Sequence, residues 1–407
     1  MNIVIVTAYY QPKLGYQQYF LAKSFEKMGH TCTVVTSDRF FPFPSYDKSF
    51  KKILGIRIVS PGSFIEREIK TIRLKTLIEV PSNATLVMND MDSTIKSLKP
   101  DIVIGCNAFT PVGFQIANAV SKIEKKPFLI LDSHAATFNS SVDDSLIKRF
   151  YFKFFSLFLR KKILKHTDVF TPIGESEALL LTKSFGDDIY SVTIPLGADT
   201  DTFIKNNKSR HAIRERLNIK NDEKVVVYAG KMSKEKDIDV LISSFAKVAK
   251  DIPKLRLILI GNGSNKYLDH LKHLIYQNKH INESVSFIQF VNNHELADYY
   301  NAADIGVWPG NLSITIQEAM ATGLPVVLPK TISEGQTSDH LAENNSATQF
   351  KRGDILDLSE KMLRLVNDQK ERKLRSKNCY NLIREKCSWD VIAQQYIDLY
   401  IQNRKQK

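Results

Sequence analysis

The stretch Val225-Val226-Val227-Tyr228-Ala229-Gly230-Lys231-Met232-Ser233-Lys234-Glu235-Lys236-Asp237 passes from an apolar run through one glycine into dense charge, and a helical pattern comes next. A short β-branched run closed by glycine reads as a buried strand, and the charged segment as the loop leading into a crossover helix. The same unit recurs downstream at Leu255 to Ile260, Val285 to Phe287, Ile305 to Trp308 and Val326 to Leu328. It also fills the first half, at Ile3 to Val6, Thr31 to Thr36, Ile102 to Gly105, Phe128 to Leu131 and Val169 to Thr171. Between the first two of these, Tyr16 to Met28 carries apolar residues at helical spacing and ends at Gly29, a residue suited to the left-handed turn that stops a helix. Such alternation predicts an α/β protein built from parallel sheets and crossover helices, with two doubly wound, Rossmann-like domains. The polar segment Asn206 to Glu223 separates the two series, which puts an N-terminal domain at 1–205 and a C-terminal one at 206–388, with the last helix, 389–407, returning to the first. Ligands of open parallel sheets bind beyond the carboxyl ends of the strands, so two such domains are expected to face a central cleft lined by βα loops.

Composition narrows the partners. The chain has 407 residues, 43% hydrophobic and 25% charged, which suits two globular domains. Its net charge of +13 favours an anionic partner. Lys and Arg are spread along the chain without a zinc-finger, RRM or KH pattern, so no nucleic-acid partner is expected. Lys or Arg interrupts every long apolar stretch before the ~20 residues needed to span a bilayer. Cys32, Cys106, Cys379 and Cys387 have no CxxC spacing, which fits a reducing compartment and gives no metal signature. The opening Met1 to Thr7 reads as a strand instead of a leader, and the expected location is cytoplasmic. Within Leu146 to Lys165, Ile147, Phe150, Tyr151, Phe154 and Phe158 share one helical face while basic residues lie elsewhere. That segment reads either as an ordinary core-facing helix or as a peripheral contact with the inner leaflet of a membrane. Asp90-Met91-Asp92 resembles a metal-binding pair but precedes a helical stretch, and helix capping is the expected role.

The chemistry gathers in two βα loops. Gly230 allows close backbone approach, and Lys231 and Lys236 in the same loop would both reach a diphosphate; solvated loop lysines are the alternative. Later, Asn311-Leu312-Ser313-Ile314-Thr315-Ile316-Gln317-Glu318-Ala319-Met320-Ala321-Thr322-Gly323 again succeeds a strand. Ser313 fits an N-cap and Gly323 a C-terminal stop, so the helix between them presents amides and its positive end to an anion. Glu318 falls in the second turn of this apolar helix and requires a partner, either a ribose diol or a salt bridge.

Together with Gly15, Ile194 to Phe203, Leu259-Ile260-Gly261-Asn262-Gly263 and the late Ser388-Trp389, these segments resemble glycosyltransferase family 4, the retaining enzymes of the GT-B fold, over nearly the whole chain. The resemblance implies hexosyl transfer from a UDP- or GDP-sugar to a glycan or polyprenyl-linked acceptor in cell-surface polysaccharide or glycoconjugate synthesis. No metal or other cofactor is implied beyond the nucleotide-sugar itself. Lys231, where the family usually has arginine, and Lys236 would neutralise the leaving diphosphate. Glu318 matches the second glutamate of the family's E-x7-E motif and would hold the ribose. Gln289 and Phe290 would contact the base, Gly15 would let a first-domain loop approach the phosphates, and His134 would sit near the transferred sugar. Gly230, Asn311, Ser313 and Ile314 complete the implied donor site. The first motif glutamate would fall at 310, where this chain has glycine. If that gap sets sugar choice, Gly310→Glu should shift donor preference and leave folding intact. Three other readings compete: an epimerase or phosphorylase on the same scaffold, a non-catalytic nucleotide-sugar-binding partner, and, weakest, a dehydrogenase, since Gln11 to Tyr16 contains no GxGxxG.

Overall fold

The computed structural model describes residues 1–43, 46–81, 85–135, 153, 155–333 and 336–406. The chain divides into two compact units, Met1–Leu196 with the C-terminal residues from Ile392, and Gly197–Val391. The sequence reading put the boundary at 205/206; the structure puts it earlier. The reason is local bonding: the Ala198 amide donates to Cys387 O at 2.7 Å, Phe203 is fully buried in the second core, and Asn301 Nδ2 donates to Ile204 O at 2.9 Å. At the other end, the Tyr400 ring meets Phe128 of the first unit at 5.8 Å.

The first unit contains β1 (Asn2–Val6), β2 (Thr31–Ser37), β3 (Gly62–Glu66), β4 (Ile69–Leu74), β5 (Thr76–Val80), β6 (Thr85–Met88), β7 (Ile102–Gly105), β8 (Phe128–Ser133) and β9 (Val169–Pro172). Seven of them form one sheet in the order β3-β4-β2-β1-β7-β8-β9, parallel except for the edge strand β3. Strands β5 and β6 pair as a separate antiparallel ribbon. The helix Gln17–Lys27 succeeds β1, and Gly29 takes φ +81°, as the sequence predicts. β1, β7 and β8 are buried on both faces, which is why they read as continuous apolar runs.

The second unit contains β10 (Lys224–Ala229), β11 (Leu255–Ile260), β12 (Val285–Ile288), β13 (Ile305–Val307), β14 (Val326–Pro329), β15 (Thr331–Ser333), β16 (Gln336–Thr337) and β17 (Ala347–Phe350). Its six-stranded parallel sheet runs β12-β11-β10-β13-β14-β17, and β15 and β16 form a small antiparallel pair. Strand order therefore reverses between β10 and β13, so the loops leaving them diverge and open a crevice at the sheet's carboxyl edge, where doubly wound folds bind ligands. Val225, Val226, Val227, Tyr228, Leu257, Leu259, Ile305 and Val307 are fully buried and fix this edge rigidly.

Asp90 precedes the helix Met91–Leu98 but, against expectation, makes no capping bond; it holds φ +56° and accepts from Asn89 Nδ2 at 2.9 Å, while Asp92 pairs with Lys122. The segment 146–165, read either as a core-facing helix or as a membrane contact, lies partly outside the described residues, with Ile147, Phe150, Tyr151 and Phe154 all outside them. Of the part described, Phe155, Leu159 and Ile163 are buried, whereas Leu157 and Phe158 are exposed. Among the described residues no helix is long and apolar enough to cross a membrane.

Candidate functional site

The second unit's crevice is built first from backbone. Beyond the end of β10 and β11 the parallel pairing continues, with Gly230 N donating to Ile260 O at 3.0 Å and Met232 N to Asn262 O at 2.8 Å. This close approach requires Gly261: with φ +140°, a Cβ there would lie 1.9 Å from Gly230 O. The Gly261 amide in turn bonds Ile288 O at 2.9 Å, and Asn262 Oδ1 accepts from Phe290 N at 3.4 Å. Gln289 and Phe290 are exposed at the end of β12, two strand spacings from β10, roughly 10 Å along the edge.

On the other side of the switch point, Trp308 and Thr315 tie the start of the helix Ile314–Ala321 to β10. Trp308 Nε1 donates to Ala229 O at 2.8 Å, and Thr315 Oγ1 donates to the same carbonyl at 2.9 Å. Ser313 is the N-cap, as the sequence predicts, but its hydroxyl caps no amide and lies 2.7 Å from Thr315 Oγ1. The Ile316 amide donates to Ser313 O at 3.1 Å, so the amides at the very start of the helix, those of Ile314 and Thr315, are the ones open to a ligand.

Lys231 and Lys236 occupy the loop after β10 but differ in setting. Lys231 is a mostly exposed side chain paired with Glu235 at 3.2 Å. Lys236 closes a 3-10 turn, Lys234–Lys236, and its ammonium donates to Asn311 O at 2.8 Å and Leu312 O at 3.0 Å, one residue short of the helix cap. Burial, together with the positive charges of Lys231 and Arg352, brings its pKa down to about 8 despite Glu235 nearby. Burial weakens the hold of this cation on its proton, and a bound anion would strengthen it.

Glu318 is buried on the same helix, and no hydrogen bond or ion pair to its carboxyl is formed among the described residues. Burial, reinforced by the charge of Asp199, raises its pKa to about 8. The salt bridge that stood as the alternative to a ribose diol is absent among the described residues. A buried carboxyl without a protein partner costs stability and marks a place for a donor from a ligand.

Gly310 has a structural reason. A Cβ there would lie 2.5 Å from Lys236 C, 2.6 Å from Glu235 O and 2.7 Å from Lys236 Cα, all backbone atoms. Asn311 N also donates to Glu235 O at 3.0 Å. The turn bearing Lys236 therefore packs directly on residue 310, and the expectation that Gly310→Glu leaves folding intact is overturned. Arg352, at the end of β17, was not singled out by sequence reasoning; it donates from Nε to Asp237 Oδ2 at 2.7 Å. It stands two residues past β17 and directly before Gly353, and it had no signal in the sequence because that strand was itself not read.

In the first unit the equivalent edge holds Gly15, His134 and their neighbours. Gly15 closes a 3-10 turn, Pro12–Leu14, in the left-handed conformation with φ +68°. His134 Nε2 lies 3.3 Å from Asp132 Oδ2, and Asp132, wholly buried, also accepts from Asn107 N at 2.6 Å and Gln17 Nε2 at 3.4 Å. Burial alone would lower the His134 pKa, but the charge and hydrogen bond of Asp132, with the charge of Glu177, outweigh it and raise the value.

Comparison with known proteins identifies the second unit. Residues 209–382 match the family described as glycosyl transferases group 1. The second unit is a glycosyl transferases group 1 domain. Besides this group 1 domain, the chain is similar over a longer span to alpha-monoglucosyldiacylglycerol synthase of Acholeplasma laidlawii, 27% identical over 325 residues, covering 76% of this chain and 74% of that protein. Several other curated relatives are matched over only about half of their own length. Among solved structures, sucrose-phosphate synthase of Thermosynechococcus elongatus has a TM-score of 0.71 at 18% identity, covering 100% of this chain and 99% of its own. HepE of Anabaena in complex with UDP has a TM-score of 0.70 at 14% identity, covering 98% of this chain and 99% of its own. These likenesses show the GT-B fold, and the family to which the group 1 domain belongs is one of glycosyltransferases.

Proposed function

We propose that this protein is a retaining glycosyltransferase that moves a hexosyl group from a UDP- or GDP-sugar to a glycan or lipid-linked acceptor, working on the inner face of a membrane. One observation carries the reading: at a single switch point of the group 1 domain, the Lys236 ammonium abuts the start of the helix Ile314–Ala321, and the same helix buries the Glu318 carboxyl, which has no partner among the described residues. A nucleoside diphosphate answers both features. Its phosphates meet Lys236, Lys231 and the helix amides of Ser313 and Ile314, and its ribose hydroxyls donate to Glu318. The base then lies toward Gln289 and Phe290, farther along the same edge, with Gly230 and Asn311 lining the phosphate end.

In this reading the leaving diphosphate gains negative charge as the glycosidic bond breaks, and Lys231, Lys236 and the helix terminus stabilise that charge in place of a metal. Within the first unit, Asp132 and Glu177 draw His134 toward its protonated form, which suits it to donate to a sugar hydroxyl. Support for the donor class comes from the UDP held by the HepE structure, and for a lipid-linked acceptor from the name of the Acholeplasma relative. The test is incubation with UDP- and GDP-hexoses and short glycan or lipid acceptors, with released nucleotide and the anomeric configuration of the product read by NMR. Acceptor-dependent nucleotide release with retained configuration supports the proposal. Inversion refutes the retaining step, and binding without turnover under every acceptor points to a nucleotide-sugar-binding partner that Gly310 has deprived of a sugar contact.

A further inference from the structure

Arg352 lies where three segments meet. Its Nε donates to Asp237 Oδ2 at 2.7 Å, its Nη2 to Glu235 O at 3.3 Å, and its Nη1 to Ile332 O. The first two partners belong to the Lys236 loop after β10, and the third to β15. Asp237 itself sits in the left-handed region, with φ +51° and ψ +37°, at the point where the 3-10 turn ends and the helix Ile238–Asp251 begins. A non-glycine residue there is strained and persists when its surroundings over-determine it. The turn's own bonds are few, Lys236 N to Ser233 O at 3.0 Å and Asp237 N to Lys234 O at 3.1 Å. On its inner side it rests on Gly310 and on the Asn311 amide. What holds its outer side is the guanidinium, whose planar fork serves three directions at once as a lysine cannot.

Resting on the reading of this edge as a diphosphate site, we infer that Arg352 is a positioning residue: with Asp237 it clamps the Lys234–Lys236 turn against the Gly310–Asn311 backbone and so sets where the Lys236 ammonium meets the diphosphate. The role requires geometry in addition to charge. The contacts are partly solvent-facing, with Arg352 and Asp237 about a quarter exposed, so bare charge attraction across them is weakened by screening and the directed bonds decide.

The experiment compares wild type with Arg352→Gln, Arg352→Lys, Asp237→Asn and the double variant Arg352→Gln/Asp237→Asn. Calorimetric titration with UDP and with uridine separates phosphate contacts from base and ribose contacts. Both Arg352 variants should weaken UDP about tenfold and leave uridine within twofold, and the double variant should be no weaker than Arg352→Gln alone. Full rescue by Arg352→Lys would overturn positioning in favour of a charge effect, and equal loss of UDP and uridine would overturn it in favour of general unfolding of the site. Amide exchange provides a reading independent of any ligand: the Lys236, Asp237 and Asn311 amides should exchange at least tenfold faster in Arg352→Gln than in wild type. Should wild type bind no nucleoside diphosphate, the diphosphate reading fails by itself, and unchanged exchange at those three amides would sink the clamp separately.

Discussion

Replacing Gly310 by alanine adds one methyl group to a space already filled by backbone. That carbon would meet main-chain atoms at 2.5 to 2.7 Å, against ordinary contact from 3.4 Å, so the 235–236 segment must retreat by roughly 1 Å. No side-chain rotation relieves it, because every neighbour is main chain. A retreat of that size stretches the Asn311–Glu235 bond from 3.0 Å and the two Lys236 bonds from 2.8 and 3.0 Å beyond hydrogen-bonding range. Overpacking of this kind costs typically about 1–3 kcal/mol and a lost charged hydrogen bond a further ~1.5–3, so a total of about 2–4 kcal/mol is expected after partial relaxation. At roughly 2–4 °C per kcal/mol for a domain of this size, the second unit should melt about 4–16 °C lower. Glutamate carries the same β-carbon and should cost at least as much. The assay is differential scanning calorimetry of the ligand-free protein, paired with UDP titration. A Gly310→Ala protein that melts within 1 °C of wild type and binds UDP equally would refute the packing argument outright.

Other predictions concern the charged groups. Lys236→Ala should lower donor turnover by about 10²-fold, because a charge at the leaving group acts mainly in the transition state; a change under twofold removes it from that role. Since the folded-state pKa of Lys236 is about 8, UDP affinity should fall as pH rises through 8 to 9, and Lys236→Met should flatten that dependence. For Glu318 the folded pKa is raised to about 8 from an ordinary 4.5, so the folded protein holds a proton that the unfolded chain releases across that window. Stability from this group is present below about pH 4.5 and is lost as pH rises toward 8, with a slope of up to ~1.4 kcal/mol per pH unit. Glu318→Gln should abolish that component of a denaturant-midpoint series between pH 5 and 8, and an unchanged slope would show that the carboxyl is paired or hydrated.

The sequence disclosed most of the parallel strands because they are short apolar runs closed by glycine or charge, but not β4, whose Lys70 and Arg73 break the run. It concealed β3 and β5, where most residues are exposed and an edge position or a narrow ribbon replaces burial, so neither strict alternation nor a hydrophobic run survives. Strand β17 was missed for a related reason: it is four residues long and carries Thr348 and Gln349. At the site, Lys236, Ser313 and Glu318 were legible as residues next to strands or within a helix. Their relations were not. Lys236 reaches Asn311 across 75 residues of chain, and that contact gives Gly310 its packing role, which sequence spacing alone could not suggest. The lack of a partner for Glu318 among the described residues is likewise a property of packing, since many sequences would place a lysine nearby.

The central claim is that a nucleoside diphosphate binds the group 1 domain between Lys236 and Glu318. A thermal-shift panel of UDP, GDP and dTDP against a nicotinamide dinucleotide control tests it most directly, run on wild type, Lys236→Ala and Glu318→Gln. One diphosphate should stabilise wild type by about 2.7 kcal/mol at a hundred times its dissociation constant, and both variants should lose most of that gain. No response to any diphosphate in wild type, or the same response in all three proteins, would contradict the account.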